Sequence, residues 1–92
     1  MANPVFIDCT EGEYTKVATG IITGFFWRIK ADAEYFYTYR ITEDPAPTLF
    51  DDSVRIFKDD DESDNVVELV FNELVDVYIW SVGGAGRLRV DV

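Results

Sequence analysis

The sequence predicts an all-β fold: a compact antiparallel β-sandwich or barrel of about seven to eight short strands, forming one domain over residues 1–92. Three observations lead to this class. Apolar and polar residues alternate along most of the chain, which is the period of a strand with one buried face. β-Branched and aromatic residues are concentrated in those segments. Turn-forming residues separate the segments about every eight to twelve positions, a spacing typical of sandwiches and barrels.

The first half of the chain predicts two short strands and a hairpin. Residues 5–7 and 13–18 read as short strands, the second ended by Thr19 and Gly20. Two longer alternating segments, residues 21–30 and 34–42, follow and are joined by a three-residue loop. The expected register places Trp27 opposite Tyr37, Phe25 opposite Tyr39, Ile29 opposite Tyr35 and Lys30 opposite Glu34.

The middle of the chain is less regular. Pro45 and Pro47 disfavour both helix and central strand, so residues 43–52 predict a long connection, followed by a short strand at 54–57. Five carboxylates then fall within the six positions 59–64, which predicts a solvated loop. Calcium binding by Asp59, Asp61 and Asp64 is the alternative, although the glycine and glutamate of an EF-hand spacing are missing.

Residues 65–80 fit helical spacing as well as strand alternation. Their β-branched composition favours strands, with a tight turn at Asn72 and Glu73 between segments 66–71 and 74–82.

The end of the chain, residues 75–92, predicts a C-terminal hairpin around the glycine-rich turn at 83–86. Its aliphatic face would pair Val77 with Val92, Ile79 with Val90 and Ser81 with Leu88. Its other face would pair Tyr78 with Asp91 and Trp80 with Arg89, a favourable contact between an indole and a guanidinium.

Composition excludes several classes of function. Eighteen acidic residues against eight basic ones give a net charge of −10, which opposes binding to nucleic acids and anionic membranes. No histidine is present to serve as general base or metal ligand, and no glycine motif for phosphate binding occurs. We therefore expect no enzyme activity and no cofactor. Cys9 is the single cysteine, expected to be a small buried hydrophobic residue in a protein made in a reducing compartment.

Binding through surfaces remains as the expected activity. In the registers above, several aromatic residues fall on the faces opposite the core, where a strand, a loop or a second subunit must cover them. Aromatic residues and arginine dominate protein interfaces. The interface candidates are Trp80, Tyr78, Arg89, Phe26 and Phe36.

Four segments of the sequence resemble small β-rich virion proteins of tailed bacteriophages. They are MANPV at 1–5, YTKVATG at 14–20, TYR at 38–40 and DVYIWSVGGAGRLRVDV at 76–92. The resemblance implies a structural protein located in the virion and made in the host cytoplasm. As a capsid decoration or head-associated module, it would form a homo-oligomer and dock on a capsid or other virion protein.

Two alternatives use the same residues. A carbohydrate- or calcium-dependent binding module would stack aromatic faces on sugars and use the acidic loop for metal. An acidic DNA mimic would use the net charge, but its carboxylates should be scattered at phosphate-like spacing, and here many are clustered in one loop.

Overall fold

The computed structural model describes residues 5–29, 33–42, 44–50, 53–56 and 66–91, and within these ranges it contains six β-strands and no α-helix. The strands pair antiparallel throughout, which confirms the predicted all-β class. Their bounds are β1 Val5–Cys9, β2 Tyr14–Arg28, β3 Glu34–Ile41, β4 Val54–Ile56, β5 Val66–Val82 and β6 Gly86–Asp91.

Two of the strands are much longer than the sequence predicts. β2 has 15 residues and β5 has 17, and each runs through a position where a turn is expected. At Gly20, which has φ of 62°, the chain forms bulges and not a turn, with register shifts against β5 between Lys16 and Thr23. At Asn72 and Glu73 the strand simply continues with both side chains exposed. The described residues therefore form six strands and not seven or eight.

The strand order in the sheet is β1-β6-β2-β5-β3-β4. Both predicted hairpins are therefore wrong: β5 lies between β2 and β3, and β6 pairs with β1 and β2 and not with β5. Side-chain alternation looks the same beside any antiparallel neighbour, so it specifies faces but not partners. Gly83 and Gly84, with φ of 86° and 141°, allow the chain to leave β5 for the far side of β2.

The long strands divide the sheet into two halves. In what we call the β3 half, residues 75–82 of β5 are flanked by β3 and by residues 14–21 of β2. In the β6 half, residues 23–28 of β2 lie between residues 66–70 of β5 and strand β6, with β1 at the edge.

The inner faces of the two halves share one core. Buried side chains of the β3 half and the β6 half belong to the same cluster, which includes Val77, Ile79, Phe26, Leu88 and Val90. The Tyr35 hydroxyl in β3 accepts a 3.1 Å bond from the Arg87 N–H in β6, although two strands separate them in the sheet order. The sheet therefore curls on itself, and the two outer faces point away from each other. Because the strands form one continuous sheet, the finer choice of a sandwich or a barrel stays a prediction.

The bulges in β2 reverse which side chains face the core. Ile21 and Phe26 are both buried, at 7% and 0% exposure, although an unbroken strand would place them on opposite faces. The change of face accompanies the register shift between Ile21 and Thr23, across which β2 advances by two residues and β5 by five, from Val75 to Val70. Phe25 is instead 41% exposed. The predicted inward face of residues 23–29 is thus the outer face, and Phe26 is core and not an interface candidate.

Cys9 is a buried part of the same core, as predicted. Desolvation by burial, with a smaller contribution from the Asp8 carboxylate, raises the pKa of its thiol to about 12. The thiol is therefore protonated and unreactive at neutral pH.

Candidate binding surfaces

The outer face of the β3 half carries a cluster of five aromatic rings, which we call the Trp80 cluster. The Trp80 ring centroid lies 4.9 Å from that of Tyr14 and 5.2 Å from that of Phe50, at interplanar angles of 80° and 64°. Phe36 meets Phe50 at 4.8 Å, and Tyr78 meets Tyr14 at 6.4 Å. Such edge-to-face contacts stabilise packing beyond the burial of area alone.

A loop of the same chain covers much of this cluster. Residues 44–50 belong to the proline-containing connection predicted at 43–52, and they place Phe50 over Phe36 and Trp80. The Tyr14 hydroxyl donates a 2.8 Å bond to the Leu49 carbonyl and holds the loop there. The sequence anticipates that a strand, a loop or a second subunit covers these rings. The structure shows that the loop provides cover within one chain.

Three of the interface candidates are affected by this packing. Tyr78 is only 5% exposed, beneath the Tyr14 ring and the Lys16 ammonium, so it is buried and cannot anchor a partner. Trp80 and Phe36 are half-buried, and their role in an interface stays a prediction.

Arg89 lies over an indole, as predicted, but the indole belongs to Trp27 and not to Trp80. The guanidinium carbon is 4.7 Å from the Trp27 ring centroid, and the Asp91 carboxylate holds the guanidinium through contacts of 3.2 and 3.3 Å. The cause is the strand order, because β6 pairs with β2 and places Arg89 opposite Trp27.

The outer face of the β6 half is a second aromatic surface, which we call the aromatic–arginine face. Phe6, Arg89, Trp27 and Val66 lie side by side on β1, β6, β2 and β5. Phe6 and Phe25 are 52% and 41% exposed, and the Phe25 and Trp27 rings are 6.0 Å apart. The face comprises Phe6, Phe25, Trp27, Arg87 and Arg89. Of these, only Arg89 is an interface candidate from the sequence. Phe25 was missed because the reversal of β2 has no local signal.

The aromatic–arginine face carries a smaller excess of negative charge than the chain as a whole, because its two arginines are set against Asp8, Asp91 and Glu68, which lies opposite Phe25. Arg87 pairs with Asp8 at 3.0 Å and lies 5.5 Å from the Phe6 ring centroid. Arg89 pairs with Asp91 at 3.2 Å. Two of the eight basic residues therefore lie on one face, each next to a carboxylate, in a chain of net charge −10.

A groove opens beside the Trp80 cluster, between the β1–β2 turn and the 44–50 loop. It has a volume of about 380 Å³ and is lined by Gly12, Glu13, Tyr14, Pro47, Thr48 and Trp80. Gly12 has φ of 78° and bonds through its N–H to the Ser81 carbonyl at 3.0 Å, which ties the turn to β5. We call this feature the Trp80 groove.

Asp76 is a buried carboxylate at the bulges of β2. It accepts a 2.9 Å bond from the Gly20 N–H and a 3.1 Å bond from the Thr42 hydroxyl, and Lys16 lies 3.4 Å away. Burial by itself raises the pKa of Asp76, but these two bonds and the Lys16 charge outweigh it and hold the pKa below its ordinary value of 3.8. The ionised carboxylate therefore holds the bulge at Gly20, which lies just before the point where β2 changes face.

We expect Asp76→Asn to lower the free energy of unfolding by about 1–2 kcal/mol at neutral pH, because a charge-assisted interaction is lost. Since the pKa of Asp76 is lower in the folded state, this stabilisation is present above pH 3.8 and disappears as pH falls through the folded-state pKa. Urea unfolding of both proteins along a pH series will show their difference shrinking in acid. The matched control is Asp8→Asn, whose pair with Arg87 is exposed, and whose effect should be under about 0.5 kcal/mol. An Asp76→Asn effect that is equal at pH 7 and in acid would show that the charge is not responsible.

The described ranges contain no group of three or more histidine, cysteine, aspartate or glutamate side chains able to hold a metal ion. The calcium candidates Asp59, Asp61 and Asp64 lie outside these ranges. No helix in the described part of the chain is long and apolar enough to cross a membrane.

No protein-family model, curated protein or solved structure matches this chain.

Proposed function

We propose that the chain is a non-enzymatic structural module that associates with further copies of itself through the aromatic–arginine face. The observation that carries this proposal is the exposure of Phe6 and Phe25 beside two arginines on one outer face. Exposed aromatic residues that lie together on a small protein indicate a contact surface, and aromatic residues with arginine are enriched where protein interfaces are strongest.

A second copy of the chain is the partner that we propose, and the charge of the aromatic–arginine face permits this contact. Copies with a net charge of −10 repel one another, and the repulsion is smallest where like charges are not brought together. On the aromatic–arginine face, Arg87 and Arg89 each lie next to a carboxylate and Glu68 lies opposite Phe25, so two such faces bring together far less negative charge than the net charge of each chain implies. Burial of Phe6 and Phe25 would then supply the driving force.

The resemblance to virion proteins of tailed bacteriophages supports a setting for this module. In that setting the module is a capsid decoration or head-associated protein, present in many copies and docked on a larger virion protein. Repeated use of one chain in a symmetric shell requires surfaces that recognise the same chain again.

Light scattering over about 10–500 μM protein tests self-association, since this range covers contacts of micromolar and weaker affinity. We expect a mass above the 10.5 kDa of one chain, and a return to 10.5 kDa in Phe6→Asp and Phe25→Asp. Val54→Asp is the matched control, because Val54 is an apolar residue of 62% exposure on β4 at the other edge of the sheet. A wild-type monomer at all concentrations, or equal dissociation by the control, would contradict the proposal.

The virion setting is tested separately by mass spectrometry of purified phage particles. We expect the chain in stoichiometric amounts. Its absence from particles would contradict the proposed location in the virion. It would not affect the proposal of self-association, which light scattering tests.

A further inference from the structure

We propose that the Trp80 groove binds an organic ammonium group, either a lysine side chain of a partner protein or a free alkylated amine. The site is on the opposite side of the molecule from the aromatic–arginine face and does not depend on self-association. Three features lead to this ligand class: the arrangement of the rings, the polar groups of the lining and the charge of the chain.

The rings of the groove meet at steep angles, as in a cage. Trp80 and Tyr14 both line the groove, with centroids 4.9 Å apart and planes at 80°. Phe50 adjoins Trp80 on the loop side at 5.2 Å. A cation beside such rings is attracted by the negative potential of their faces, most strongly by an indole.

The polar groups of the groove suit a cationic ligand. Glu13 offers a carboxylate, and no lining side chain carries a positive charge. The Tyr14 hydroxyl already donates to the Leu49 carbonyl, which leaves the Thr48 hydroxyl and the Trp80 indole N–H as the side-chain donors of the lining. A sugar presents hydroxyls that both donate and accept, and it needs donors from the protein as well as acceptors. An ammonium group accepts no hydrogen bond, whether it keeps its N–H groups or is fully alkylated, and it gains from the carboxylate charge.

The charge of the chain and one internal contact also favour a cationic ligand. A net charge of −10 attracts cations to the surface and repels anions. Within the Trp80 cluster, the Lys16 ammonium already lies 5.9 Å from the Tyr78 ring centroid and 3.4 Å from the Asp76 carboxylate. The proposed site repeats this combination of ring and carboxylate with Trp80 and Glu13, in an open groove.

The groove is held in shape before any ligand arrives. The Tyr14 hydroxyl is fixed to the Leu49 carbonyl at 2.8 Å on the loop side, and Gly12 is fixed to Ser81 at 3.0 Å on the turn side. A preformed site loses little binding free energy, because its side chains and loops are already ordered.

Fluorescence of a Trp27→Phe variant tests the proposal, because Trp80 is then the single tryptophan of the chain. We expect saturable changes with choline and with Nα-acetyl-lysine methylamide at concentrations up to about 50 mM, since isolated cation–π contacts are weak. The neutral isostere of choline, 3,3-dimethylbutan-1-ol, should bind at least about fivefold more weakly because it lacks the charge. The ammonium probe that binds more tightly indicates whether the natural ligand is a lysine side chain of a partner protein or a free alkylated amine.

Two variants distinguish binding at the Trp80 groove from a general effect of the negative charge of the chain. In the Trp27→Phe background, Glu13→Gln should weaken choline binding about three- to tenfold, because the nearby carboxylate charge is lost. Glu73→Gln removes another exposed acid, outside the groove, and should leave binding unchanged. The proposal is overturned if no probe binds, if the isostere or a neutral monosaccharide binds as tightly as choline, or if both variants weaken binding equally.

Discussion

Replacement of Phe26 by alanine is expected to lower the free energy of unfolding by about 3–5 kcal/mol, the range typical of a large aromatic side chain removed from a core. Phe26 is fully buried and pairs with Val67 on one side and Val90 on the other, so its loss leaves a cavity between three strands. Phe25→Ala should cost less than about 1 kcal/mol, because Phe25 lies on the outer face and is 41% exposed.

Urea unfolding at low protein concentration measures both variants without a contribution from self-association. If Phe26→Ala does not fold, Phe26→Leu preserves most of the volume and should still be less stable than Phe25→Leu. A larger loss at Phe25 than at Phe26 would mean that the strand keeps its unbroken alternation, and that the aromatic–arginine face is not on the surface.

Gly86→Ala is expected to destabilise the fold by about 3 kcal/mol, at the upper end of the cost of overpacking a core. A Cβ at this position would lie 2.8 Å from Oη and 2.9 Å from Cζ of Tyr35 and still closer to its Cε1. The cost is steric, since Gly86 is not among the glycines with positive φ. Tyr35 itself is fully buried and bonded to Arg87, so the ring cannot easily move away.

A double-mutant cycle with Tyr35→Leu tests that cause. Tyr35→Leu will be destabilising alone, but adding Gly86→Ala to it should cost less than about 1 kcal/mol, because the ring that met the new methyl group is gone. Ala85→Ser, at the exposed neighbouring position, is the control and should be nearly neutral. Full additivity of Gly86→Ala and Tyr35→Leu would show that β3 and β6 do not meet across the core.

Alternation in the sequence predicted several faces correctly but not the neighbours of the strands. Val77, Ile79, Leu88 and Val90 face the core as expected, although β5 and β6 are not paired. The pattern repeats every two residues and is satisfied by any antiparallel partner, so the choice depends on packing between residues far apart in sequence.

The reversal in β2 could not be read from local sequence. Gly20 predicts a break, but a glycine with positive φ serves a turn and a bulge equally well. Asp76, 56 residues further on, accepts the bond from the Gly20 N–H and so favours a bulge there. Ile21 still faces the core, and the face changes at the next register shift, between Ile21 and Thr23, after which Phe25 and Phe26 exchange roles.

The binding surfaces were predicted by residue type more than by location. Arg89 does pack on an indole, as the sequence predicts, but the indole is that of Trp27 and not that of Trp80. The sequence predicts that a strand, a loop or a second subunit covers Trp80, and a loop is one of these three possibilities. Nothing in the sequence of residues 44–50 indicates that Phe50 packs against Trp80. The Trp80 groove depends on where that loop lies, which no local pattern encodes.

Both proposed surfaces depend on the position of β6 between β1 and β2. Nuclear Overhauser effects between backbone protons test this most directly, because opposed residues of antiparallel strands have Cα atoms only about 4.5–5.5 Å apart. The structure predicts contacts that join Phe26 to Val90 and Trp27 to Arg89. Contacts that join Ile79 to Val90 and Trp80 to Arg89 would show a C-terminal hairpin in place of this order, and would remove the aromatic–arginine face and the groove together.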